Sequence, residues 1–201
     1  MELLIPMLVG YLLGSIPFAY VIGKVFYHTD VRNHGSGNLG GTNTGRVLGS
    51  KAGVAVMALD LLKVTLTVFL CVRLSDHPWS VACGAMAAAI GHCYPIFAGF
   101  HGGKAVAALY GFLFGLWVCL DYSPLVFFLP LVTFLGILAA FKMVSLASVL
   151  SSAAAVLYVW LLGADGSLVA AGAVYAVLIL LRHRENLRRI RNGTERKITW
   201  M

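Results

Sequence analysis

AGVAVMALDLLKVTLTVFLCVR, residues 52–73, runs for 22 positions with three charged side chains, one of them at its very end. A helix of about 20 mostly apolar residues is what a hydrocarbon core of roughly 30 Å demands. Asp60 and Lys63 stand three positions apart, so on a helix they share a face and can neutralise one another where a lone charge is costly. The stretch reads as a membrane span with a polar inner side.

Working outward, six further spans follow at 3–26, 79–98, 105–120, 124–141, 145–163 and 166–182. The fourth and fifth in chain order are short and separated only by LDYSP, residues 120–124. Composition agrees: 60% of residues are hydrophobic, 11% are charged and the mean hydropathy is +0.87, values foreign to an ordinary soluble domain. The first span carries Glu2 where a signal peptide has its basic region and continues past the length of an h-region, so a retained anchor is expected. The expected fold is an all-α integral membrane protein, a bundle of about seven transmembrane helices forming one domain over 1–201.

Lys and Arg choose the orientation, because cytoplasmic loops carry their excess. With seven spans, Lys24, Arg32, Arg46, Lys51, Lys104, Lys142 and seven residues of the tail fall on one side, against Arg73 alone on the other. The amino terminus is therefore expected outside and the carboxyl terminus in the cytoplasm. The net charge of +7 follows from this asymmetry, and no basic, aromatic-interleaved module for nucleic acid is visible. Cys71, Cys83, Cys93 and Cys119 lie in apolar segments without a CxxC or a Cys/His cluster, which indicates neither a disulfide nor a metal site.

Three polar constellations interrupt the oil. HGSGNLGGTNTGR, residues 34–46, sits in a long loop on the basic side. Its glycines, Gly35, Gly37 and Gly40 among them, allow positive φ and close approach, so that successive N–H groups can face one anion. Ser36, Asn38, Thr42 and Asn43 offer side-chain hydrogen bonds, and Arg46 a planar fork for phosphate. The alternative is a flexible connector. No GxxxxGK[ST] occurs, so the loop is not a nucleotide P-loop.

In GHCYPIFAGFHGGKAVAA, residues 91–108, Gly102 and Gly103 lead to Lys104 at the start of a helix. A cation there opposes the helix macrodipole unless an anion is shared between them. Snorkelling of a loop lysine is the alternative, and His92 reads either as a base or as a satisfied interfacial histidine. In LRHRENLRRIRNGTERKITW, residues 181–200, Arg182, Asn186 and Arg189 fall on one helical face, with His183 and Asn186 as neighbours. The remaining basic residues suit an anchor or an anionic-lipid contact. SLAS, Ser145 to Ser148, opens the sixth span.

Taken together, GSIPFAYVIGK, VRNHGSGNLGGTN with Arg46, GHCYPIFAGFHGGKAVA, SLAS and RHRENLRRIRNGTE resemble the bacterial membrane acyltransferases that make lysophosphatidic acid from glycerol 3-phosphate and an acyl phosphate. The resemblance spans nearly the whole chain. Gly41 stands where that family usually has Ala, His101 where Lys is common and Ala105 where Gly is common.

The resemblance implies an enzyme of the bacterial inner membrane working at its cytoplasmic face, with no cofactor and no protein partner. Ser36, Gly37 and Asn38 are then expected around the acyl-phosphate head group, and Lys104 at the departing phosphate. Arg46, Ser145, His183 and Asn186 are expected around glycerol 3-phosphate, with Gly35, Gly40, Thr42, Asn43, His92, Gly102, Gly103, Ser148 and Arg182 lining the substrates. Ser36, Lys104, His183 and Asn186 are the catalytic candidates, Asn186 orienting the 1-hydroxyl, whose proton goes to the departing phosphate or, alternatively, to His183 or His92 as general base. None of the six histidines has Asp five positions on, which argues against the thioester-using acyltransferases. The rival reading is a transporter of phosphate or an organophosphate, which would predict internal duplication and a site at mid-membrane.

Overall fold

The computed structural model describes residues 2–198, and among them every regular element is helical. The α-helices are α1 Leu4–Gly14, α2 Phe18–Tyr27, α3 Gly41–Leu48, α4 Ser50–Leu74, α5 Ser80–Cys93, α6 Val106–Leu120, α7 Leu125–Phe141, α8 Val144–Leu161, α9 Gly166–Arg182 and α10 Arg184–Arg191. Short 3-10 turns lie at Val31–Asn33 and Ile96–Ala98.

Two of the expected spans are present but are interrupted as helices. The segment 3–26 is not one helix, because Pro17 has no N–H and its ring drives Ile16 out of helical geometry, separating α1 from α2. The segment 79–98 is regular only to Cys93, ahead of Pro95. Leu4–Tyr27 with its break, Ser50–Leu74, Ser80–Ala98 and Val144–Leu161 are long and apolar enough to cross a membrane, and α9 with α10, bent by 56°, makes a fifth when counted together. α6 and α7 are apolar but shorter. Helix length alone therefore supports four or five crossings, and the count of seven rests on hydropathy.

Small residues set the packing. On α1, a Cβ at Gly10 would lie 2.1 Å from the Gly84 carbonyl oxygen, and one at Gly14 would lie 2.3 Å from that of Ala88, so α1 and α5 meet backbone to backbone. On α6, Gly111 approaches the Leu61 carbonyl of α4 in the same way, and Gly115 fits beside Val68. Each pair is spaced four apart, the spacing that lets helices approach closely in lipid, where apolar burial alone gives little drive. Val64, Val68, Phe112, Leu113, Tyr175 and Ile179 fill the centre, with Phe112 stacked on Tyr175. Leu62, Leu66, Val132, Leu157, Trp160 and Val177 are exposed, an apolar belt suited to lipid.

Asp60 and Lys63 turn inward together. Their ion pair is 2.7 Å long and each side chain is only 3% exposed, so mutual neutralisation is what the buried setting requires.

Candidate active site at one end of the bundle

The long loop after α2 is held by its own side chains. Asp30 accepts from the Arg32 backbone and from its guanidinium, which also lies over the Tyr20 ring. This pairing holds the Asp30 carboxyl down at about 2. Gly35 and Gly37 both take positive φ, 65° and 68°, a conformation costly for any residue with a Cβ. Asn43, in the first turn of α3, accepts from Ser36 N–H and donates to the carbonyls of Val31 and His34. The loop thus closes on Asn43 and leaves Ser36 exposed.

α3 then lies across the start of α4. Gly45 and Gly53 bring the two backbones together, which projects Arg46 from α3 toward the tail of the chain. Partial desolvation and the cations Arg196 and Arg189 lower the Arg46 pKa, while Glu195 opposes them.

The Gly102–Gly103 backbone is gripped on two sides. Below it, Gly103 N–H donates to the His92 carbonyl at 2.9 Å, and a Cβ on Gly103 would collide with the His92 ring. Above it, Arg182 donates through Nε to the Gly103 carbonyl and through its terminal nitrogen to that of Gly102, both at 3.1 Å. The next residue, Lys104, donates to the Asn186 side-chain oxygen. Burial, helped by Arg189, pulls the Lys104 ammonium down to about 8, so it stays charged at neutral pH. Ala105 completes the turn with φ 58°, the left-handed region that explains why glycine is the easier residue there.

The end of α9 and the tail close the cluster. At the bend, His183 is buried and its Nδ1 lies 2.8 Å from the Ile179 carbonyl, which makes Nδ1 the protonated nitrogen and leaves Nε2 as an acceptor. Burial, with Lys104 nearby, holds this imidazole down to about 4, so it is neutral at pH 7. Beyond α10 the chain turns back, and Ile198 N–H donates to the Lys142 carbonyl between α7 and α8. Glu195 is thereby placed to accept from Ser145 Oγ and Asn186 Nδ2, each at 2.7 Å, and from Arg189 Nε at 2.8 Å. These donors keep the carboxyl below its usual range against its own desolvation.

Ser145, Asn186 and Arg189 therefore meet on one carboxylate, Lys104 joins them through Asn186, and His183 and Arg46 stand nearby, so that four separate stretches of chain contribute. Arg189 pairs with this acid while Lys104 and Arg46 stand off it, which leaves a surplus of positive charge, and the donors on Glu195 already meet an oxyanion in good geometry. Such a centre can hold phosphate.

Three of the residues expected to contact substrate are buried away from the Glu195 carboxylate. Asn43 is buried and committed to the loop's backbone. Ser148 is buried one turn below Ser145 and donates to the Val144 carbonyl. His92 is buried beneath Gly103 with its Nδ1 toward Asp60 at 3.6 Å. Arg182 and the Gly102–Gly103 backbone hold one another, which places Lys104. Thr42 is exposed on the first turn of α3, and Asn38 and Gly40 lie half-buried ahead of it. Glu195 was not singled out by the sequence reading, although an acid followed by two cations within a basic tail is the visible signal.

A family model described as glycerol-3-phosphate acyltransferase matches residues 4–193. Among curated proteins, the glycerol-3-phosphate acyltransferase of Geobacillus kaustophilus is 47% identical over 194 residues, covering 96% of this chain and 95% of that protein. That of Listeria monocytogenes serotype 4a is 46% identical over 204 residues, covering 100% and 98%. Two crystal structures of PlsY (YgiH), an integral membrane glycerol 3-phosphate acyltransferase, superpose on the fold. Its glycerol 3-phosphate form gives a TM-score of 0.90 at 37% identity, and its lysophosphatidic acid form 0.88 at 36%, each covering 99% of this chain and 96% of the other.

Proposed function

This chain belongs to the glycerol-3-phosphate acyltransferase family, and from that premise we propose that it moves a fatty acyl group from acyl phosphate to the 1-hydroxyl of glycerol 3-phosphate. The products are lysophosphatidic acid and inorganic phosphate. The observation that supports this reading is the meeting of Ser145, Asn186 and Arg189 on the Glu195 carboxylate, with Lys104 joined through Asn186 and Arg46 nearby, a cation-rich setting that suits two phosphate-bearing substrates.

An acyl phosphate is a mixed anhydride with a good leaving group. The substrate hydroxyl oxygen attacks the acyl carbon, the bond from that carbon to the phosphate oxygen breaks, and phosphate leaves with the electron pair. What the protein must supply is mainly alignment of two anions and relief of their repulsion. The loop at Ser36, Gly37 and Asn38 holds the acyl-phosphate head group. Lys104 faces the charge that grows on the departing phosphate. Arg46, Ser145 and Asn186 hold glycerol 3-phosphate, and neutral His183 accepts a hydrogen bond from the attacking hydroxyl. Held down near 4, this imidazole is a weak base, so the proton passes to the leaving phosphate. The acyl chain lies among the helices and open to lipid. No cofactor and no further protein take part.

We place the site at the cytoplasmic face of a seven-span, single-domain protein of the bacterial inner membrane, amino terminus outside, on the strength of the Lys/Arg asymmetry. The reaction is tested with purified protein: acyl phosphate should be consumed only when glycerol 3-phosphate is present, with phosphate and lysophosphatidic acid released in equal amounts. Consumption without the acceptor, or none with it, contradicts the assignment. A single cysteine at position 34, in a cysteine-free background, should be labelled only from the cytoplasmic side.

A further inference from the structure

Beneath the proposed substrate cluster lies a second polar group that contacts none of it directly. Lys63 Nζ, besides its bond to Asp60, donates at 2.8 Å to the carbonyl of Ile16, in the break that Pro17 opens between α1 and α2. Asp60 Oδ1 faces His92 Nδ1 at 3.6 Å, a nitrogen that has no hydrogen-bond partner. The opposite edge of the same ring supports Gly103, with Nε2 where a Cβ would have to stand. The backbone of His92 then binds Gly103 N–H, and Lys104 follows at once. One continuous chain of contacts thus runs from the break before the glycine loop, through Lys63, Asp60 and His92, to the residue that carries Lys104.

A buried ion pair is weak grounds for stability, because well-packed apolar residues often replace it without loss. What a charge pair adds is fixed geometry: the carboxylate sets which way the imidazole turns, and the imidazole forms the floor on which the two-glycine segment rests. We propose that Asp60, Lys63 and His92 are positioning residues that hold the Lys104 ammonium in register with the break between α1 and α2. The proposal rests on the reading of Lys104 as the cation at the departing phosphate. None of the three touches substrate.

The test replaces both charges at once, Asp60→Leu with Lys63→Met, so that no orphan charge remains. The thermal midpoint in detergent should be retained and KM for glycerol 3-phosphate should stay within about twofold. By contrast kcat should fall on the order of tenfold to a hundredfold, the usual cost of a misplaced catalytic group. In a Lys104→Met background the same double exchange should cost little more, since its effect passes through Lys104. An unchanged kcat in the double variant, or a full further loss on top of Lys104→Met, would overturn the proposal. If the double variant is not recovered folded, the isosteric Asp60→Asn is measured instead: lowered kcat at unchanged KM supports positioning, and retained kcat overturns it. Lys104→Met alone separates the two levels, because full activity there removes the reading of Lys104, whereas a disabled Lys104→Met beside a fully active double variant removes only the network's role.

Discussion

Lys104, in the turn ahead of α6, donates to the side-chain oxygen of Asn186 on α10, 82 positions later in the chain. The same Asn186 turns its amide nitrogen to Glu195. One amide therefore joins a cation to an acid and fixes the distance between them. A phosphate entering the cluster meets donors that are already oriented, so little reorganisation is left to the moment of reaction.

Conservative exchanges at the two cations should part company. Arg46 offers two parallel hydrogen bonds, so Arg46→Lys should chiefly raise KM for glycerol 3-phosphate, by on the order of tenfold to a hundredfold, equivalent to roughly 1.5–3 kcal/mol. Lys104→Met should instead lower kcat, because charge on the leaving phosphate grows toward the transition state. Steady-state kinetics with each substrate varied in turn reads both; a rise in KM for the acyl phosphate alone in Arg46→Lys would exchange the two phosphate positions.

The pH profile should report Lys104. Its pKa is lowered to about 8 by burial first and by neighbouring cations second, so the positive charge is present at pH 7 and disappears as pH rises through that value. With the charged form required, kcat/KM of the free enzyme should decline on the alkaline side with a midpoint near 8. Lys104→Arg should move that decline beyond the assay range, and Glu195→Gln, which removes a charge favouring the ammonium, should move it to lower pH. An alkaline limb indifferent to Lys104→Arg belongs to another group.

Gly37→Val should abolish turnover in protein that still inserts and folds. The glycine takes φ 68°, which a β-branched residue resists, and a Cβ there would stand 3.0 Å from the Arg32 carbonyl oxygen, so the loop proposed to hold the head group would be displaced. Retained activity would return residues 34–46 to the role of a connector.

Helix contacts should respond in opposite directions. Gly10→Ala pushes a methyl against the Gly84 carbonyl, where backbone has no means of yielding, and should lower stability by about 1–3 kcal/mol. Gly136→Ala, on α7 with open space around it, should raise stability by about 0.5–1 kcal/mol through the backbone entropy lost from the unfolded chain. Thermal unfolding in one detergent compares the two; equal shifts would mean that α1 and α5 are not in backbone contact.

Much of this was legible in the sequence because lipid makes a coarse filter. The segment 52–73 could hardly be anything but a buried helix, and the glycines around Ser36 could hardly lie within one. Hydropathy is blind to finer things. Pro17 is apolar enough to pass through a window average, so the break that frees the Ile16 carbonyl was read as continuous helix. The partners of Asn43 and His92 lie with neighbouring turns and other helices, and a side chain's residue type does not say which way it will face. Glu195 was overlooked for a related reason: its three donors come from α8 and α10, and only the return of the tail brings them together.

That return also fixes when the site can exist. Arg182, which grips the Gly102–Gly103 backbone, ends the last apolar helix of the bundle, and Asn186, Arg189 and Glu195 are synthesised after it. A chain still on the ribosome, with residue 186 inside the exit tunnel, has its earlier helices and its glycine loop but lacks the half of the cluster that orients Lys104. During biogenesis, then, the cluster is completed only when translation has carried the chain past its last bend.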